Sequence, residues 1–242
     1  TADASYSDFA AQFFDELTAG TYGPDDRDTA GWIAEIQAYR QGTWINLLPW
    51  EFTLLPVPAA TLGNAGQDAL FEQAILDGLN TLDNTDPATV YADILGLTGA
   101  VRGLALRNRL TFPAIVAPLH ADINGITTLE NLAAVLAGYQ NADGSWYWHS
   151  NLAAPAEGDK ESQTTAYAVL ALQAANLLVT ANYQQNVLDA QVWLEARQLP
   201  GGGFESWSGG DVASANTEVE GEVLQALTET PVPVELMSFS VE

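Results

Sequence analysis

Trp146, Tyr147, Trp148 and His149 stand in a row, and Glu205, Ser206 and Trp207 stand at the matching place of a second, similar segment. Indole faces beside carboxylates and an imidazole suit stacking on sugar rings, with hydrogen bonds to the hydroxyls. Trp146, Trp148, His149, Glu205 and Trp207 are therefore the candidate ligand-binding residues. An imidazole can also do acid–base work near neutral pH, so His149 paired with Glu205 or Glu218 is the candidate catalytic set. The competing reading for His149 is a packed imidazole beside an aromatic. It applies equally to His120, the only other histidine.

Metal chemistry has little to work with. The absence of cysteine excludes disulfides, thiolate zinc sites and a thiol nucleophile. Asn141-Ala142-Asp143-Gly144 and the turn holding Asp25, Asp26 and Asp28 offer oxygen ligands suited to Ca²⁺. Neither has EF-hand spacing, and Asp-Gly is an ordinary turn signal. No cofactor is expected and no metal site is assigned.

The elements that position these residues recur. Residues 136–173 and 192–227 each run helix end, Gln, Gly-bearing turn, aromatic, polar loop and a new helix. Gln140, Gly144 and Trp146 correspond to Gln198, Gly202 and Phe204. A self-similar block of this length means stacked helical hairpins. The glutamine can satisfy free backbone groups where one helix ends and another begins, glycine permits a left-handed turn, and the aromatic covers the junction. Repeat position alone accounts for Trp146 and Phe204; it does not require Trp148, His149 or Trp207. Thr29–Tyr39 reads as a third, diverged copy of the helix-opening segment.

Elsewhere the pattern is also helical. Phe9, Phe13 and Leu17 make one stripe, residues 66–80 and 127–139 read as helices, and Asp86-Pro87 reads as a helix start. Arg102, Arg107 and Arg109 are expected to pair with carboxylates or cap helix ends. Glu218, Glu220 and Glu222 stand near a helix start, where carboxylates favour the dipole. The expected architecture is all-α: antiparallel hairpins over 1–230, an irregular Pro/Trp-rich insertion at about 41–65, and an extended tail at 231–242.

The segment Tyr139-Gln140-Asn141-Ala142-Asp143-Gly144-Ser145-Trp146 resembles the Gln–Trp repeat of the terpenoid cyclase and protein prenyltransferase superfamily, with Phe204 replacing Trp in the second copy. The resemblance implies an α/α toroid, closed or partial. It does not carry that superfamily's chemistry across. Asp25-Asp26-Arg27-Asp28 and Asp83-Asn84-Thr85-Asp86 both depart from the Asp-x-Asp-Asp acid of squalene-type cyclases, and the prenyltransferase zinc site needs a cysteine. The reading leans away from an enzyme.

A formal charge of −24 repels nucleic acid and anionic lipid, and no apolar run is long enough to span a membrane. The opening TADASYSDF resembles a mature end left after signal-peptide removal. The segment Pro233–Phe239 is similar to stretches that precede C-terminal sorting domains of secreted bacterial proteins. The expected location is extracellular or cell-surface. The expected function is a non-catalytic module that binds a glycan or a partner protein. The alternatives are an extracellular enzyme on a polysaccharide or isoprenoid, and a self-assembling surface subunit.

Overall fold

The computed structural model describes residues 65–87, 92–210 and 215–228. The N-terminal stripe, the third repeat copy, the insertion at 41–65 except its last residue, and the C-terminal tail lie outside the described residues. Among those described the fold is all-α, with six α-helices: α1 (Ala65–Thr81), α2 (Asp93–Leu106), α3 (Leu129–Gly138), α4 (Ser162–Asn176), α5 (Gln184–Glu195) and α6 (Thr217–Thr228). Extended backbone appears among them only as isolated bridges.

The helices form two rows. α2, α4 and α6 pack side by side; α3 lies against α2 and α4, α5 against α4 and α6, and α1 against α2. Burial follows from this. α2 and α4 are buried almost all round, so they carry small and apolar residues on every face, among them Gly96, Gly99, Ala100, Ala166, Ala168 and Ala171. A helix touched from all sides needs this composition. α3 buries one stripe, Leu129, Leu132, Ala133 and Leu136. α5 buries Val187, Ala190, Trp193 and Leu194, and α6 buries Val219, Val223 and Ala226. Those are the three-and-four spacings of a helix with one packed face.

Local chemistry fixes the helix ends. Thr128 caps α3 by accepting the Asn131 N–H at 3.2 Å. α2 begins at Asp93, preceded by Ala92 in the left-handed region (φ 58°); the start expected at Asp86-Pro87 leads into residues 88–91, which lie outside the described residues. Asp83 closes a local turn, its Oδ1 accepting from the Thr85 N–H at 2.8 Å and the Thr85 hydroxyl at 2.7 Å. Short acidic side chains compete with helix in this way. Of the clustered arginines, Arg107 and Arg109 converge on Glu72 of α1, at 3.1 and 2.5 Å.

Both copies of the repeat build the same corner. In the first, the Asn141 N–H donates to the Ser145 carbonyl (2.8 Å) and the Gly144 N–H to the Asn141 carbonyl (2.9 Å). In the second, Leu199 donates to Gly203 (2.7 Å) and Gly202 to Leu199 (2.9 Å). Gly144 and Gly202 sit at φ 94° and 99°, where a side chain is strained. Trp146 is wholly buried. Its indole N–H reaches the Leu136 carbonyl at 2.9 Å, satisfying one of the last-turn carbonyls of α3. Phe204 is also buried.

Candidate functional site

The two corner loops meet in a small antiparallel ribbon. Tyr147 bridges Lys160, and Glu161 bridges Trp207. Four backbone bonds hold it: Glu161 N–H to Trp146, Trp148 N–H to Asp159, Ser162 N–H to Ser206 and Ser208 N–H to Lys160, at 3.2, 3.3, 2.9 and 2.8 Å. Side chains alternate along such a ribbon, so Tyr147, Lys160 and Ser208 share one side, and Trp148, Asp159, Glu161 and Trp207 the other.

On the first side, Lys160 Nζ lies 2.6 Å from both Asp143 Oδ2 and Glu157 Oε2. Those contacts hold both carboxyls below the usual range and raise the lysine, although burial of Asp143 and Lys160 opposes this. Ser208 Oγ donates to Glu157 at 2.6 Å and accepts from Arg197 at 2.8 Å, and Arg197 also reaches Glu205 at 3.4 Å. On the second side, the Trp148 indole N–H donates to Asp159 Oδ1 at 3.2 Å. Trp207 is 46 % exposed.

The sequence-predicted catalytic set is not brought together. Glu205 faces Arg197, Glu218 faces the Gln163 amide at 3.5 Å, and His149 is buried beside Asp93. Asp93, in the first turn of α2, is itself wholly buried and lies between both histidines: His120 Nε2 at 3.5 Å and His149 Nδ1 at 3.8 Å. Ser150 bonds it through its N–H (3.0 Å) and its hydroxyl (2.5 Å), so its charge is met by donors. Burial pushes His149 below its ordinary pKa, Asp93 opposes this, and His120 adds to it. His120 comes from the tip of the α2–α3 connector, which doubles back on itself through bonds such as Phe112 N–H to Thr127 and Gly125 N–H to Ile115. The sequence offered no sign that Asp93 and His120 would join His149, because nothing local spans those separations.

A second group centres on Glu222, one of the three glutamates expected near a helix start. Glu222 of α6 accepts from the Tyr167 hydroxyl at 2.8 Å and the Gln163 amide at 3.2 Å, both on α4. Its Oε2 is buried with no hydrogen-bond partner among the described residues. Burial raises its pKa to about 7, against the lowering effect of the two donors. Glu218 lies one turn away on the same helix and adds to the rise.

No family model, no curated protein and no solved structure matches this chain. Among the described residues no group of three or more His, Asp or Glu side chains is arranged to hold a metal ion, and no helix is long and apolar enough to cross a membrane.

Proposed function

We propose that this chain is a non-catalytic extracellular binding module, an α/α toroid or a segment of one, of the cyclase/prenyltransferase type. Its ligand is a glycan held on the ribbon face that carries Trp148 and Trp207. The observation that carries this reading is Trp207, a large aromatic left 46 % exposed on a loop whose backbone is pinned on both sides. An aromatic side chain on a held backbone has only two torsions to freeze on stacking against a sugar ring. The alternation of helix rows and the paired corners support the toroid reading, since stacked hairpins with one repeated corner curve about a common axis. Screening on a glycan array, with turnover assays on the hits, tests it. Retained glycan that is never cleaved, with loss of binding in Trp207→Ala, supports the module; cleavage of a bound glycan, or binding untouched by that variant, sinks it.

One observation favours the enzyme reading instead. Burial raises the Glu222 carboxyl to about 7, and one of its oxygens has no hydrogen-bond partner among the described residues, the state a general acid–base group needs. An activity abolished in Glu222→Gln, with a pH profile that follows this carboxyl, would establish that alternative.

A further inference from the structure

A bond that only a neutral imidazole can accept secures the segment 149–151. The Asn151 N–H donates to His149 Nδ1 at 2.9 Å, so that nitrogen carries a lone pair and the ring proton resides on Nε2. Nε2 is buried and has no hydrogen-bond partner among the described residues. A second proton must therefore enter at Nδ1, and it abolishes the bond to Asn151. The same nitrogen stands 3.8 Å from Asp93 Oδ1, so the charged ring loses a bond on one side and gains an attraction on the other.

Asn151 also carries the docking bonds to the α1–α2 connector. Its Nδ2 donates to the carbonyls of Asn84 (3.1 Å) and Thr85 (3.2 Å), and Asn84 Nδ2 donates to Ser150 Oγ at 3.1 Å. We propose that His149 is a proton-operated latch: neutral, it holds 149–151 against the connector bearing Asn84 and Thr85; protonated, it turns to Asp93 and releases that connector.

The charged and titratable groups around the latch come from every neighbouring element. Asp93 belongs to α2, His120 and Asp122 to the α2–α3 connector, and Asp83 and Asp86 to the α1–α2 connector. Tyr139 follows α3, its hydroxyl donating to Asp122 at 2.6 Å and its ring 6.4 Å from that of His120. The carboxylates favour the protonated ring. His120 opposes it.

Hydrogen exchange of the full chain at about pH 7.5 and about pH 5.5, corrected for intrinsic rates, tests the latch. Exchange over 83–87 and 149–152 should rise several-fold in acid, up to roughly tenfold, the most that one proton can contribute about one pH unit below the ordinary imidazole value, while α4 amides stay unchanged. His149→Asn keeps an acceptor near the Nδ1 position and cannot titrate, so it should remove the pH effect. If that variant does not fold, an NMR titration of the wild-type protein decides: the His149 ring and the Asn151 amide must move with one midpoint. Separate midpoints, or exchange that rises equally throughout the chain, overturn the latch. So does zinc that restores protection at acid pH, which would make the cluster a metal centre.

Discussion

Gln140 and Asn186 hold each other across the junction of three helices. Gln140 follows α3, and Asn186 lies in the first turn of α5. The Gln140 amide donates to the Asn186 main-chain carbonyl at 2.8 Å and to the Gly144 carbonyl at 3.0 Å, while its carbonyl accepts from the Asn186 side chain at 2.7 Å. The corner that leads into α4 is thereby tied to the helix that follows α4. The first corner thus fixes one hairpin against the next.

Gln140→Ala should cost roughly 2–3 kcal/mol, because it leaves part-buried polar groups unpaired. Gln198→Ala, the matching change at an exposed residue, should stay within about 0.5 kcal/mol. Urea denaturation of the two variants separates them. Equal costs would mean that the copies do the same work.

Gly202→Ala places a side chain at φ 99° in open space and should destabilise by about 1–2 kcal/mol. At Gly144 the same change also drives a Cβ into the Asp189 carbonyl of α5, so the total should reach roughly 3–5 kcal/mol. Thermal melts that rank the two in reverse would contradict the close approach of this turn to α5.

Lys160 is the chain's single lysine, and its side chain is 13 % exposed between two carboxylates. Lys160→Met should cost about 1–3 kcal/mol, since Asp143 and Glu157 would be left facing each other without a cation. The deficit should shrink in high salt, which screens that repulsion; a melt at two ionic strengths shows it.

Two groups give stability opposite pH trends. The folded pKa of Glu222 is raised, so its contribution is complete below the ordinary carboxyl pKa and is lost as pH rises through about 7. His149 is lowered; its contribution is complete above the ordinary imidazole pKa and is lost as pH falls through the folded value. Glu222→Gln should therefore raise the melting temperature relative to wild type at about pH 8 and gain little at about pH 5. A gain that does not depend on pH would mean that this carboxyl is not buried as described.

Much of the frame was legible from residue order alone. Glutamine, glycine and an aromatic at fixed offsets act over a few residues of backbone, so Gln140, Gly144, Trp146 and their second-copy partners announce the corner, and Leu132, Val135, Leu136 and Tyr139 announce a helix face, of which Leu132 and Leu136 are wholly buried and Val135 and Tyr139 partly. The all-α class follows from such local signals. The start of α2 at Asp93 was not legible, because a left-handed backbone at Ala92 carries no signal in an alanine. Only the tertiary structure decided which side chains meet. His120, His149 and Asp93 come from three separate elements, and Glu222 finds Tyr167 on another helix. Their contacts depend on how the helix rows stack and how the long connector folds back, and no periodicity in the sequence encodes a distance between elements that far apart.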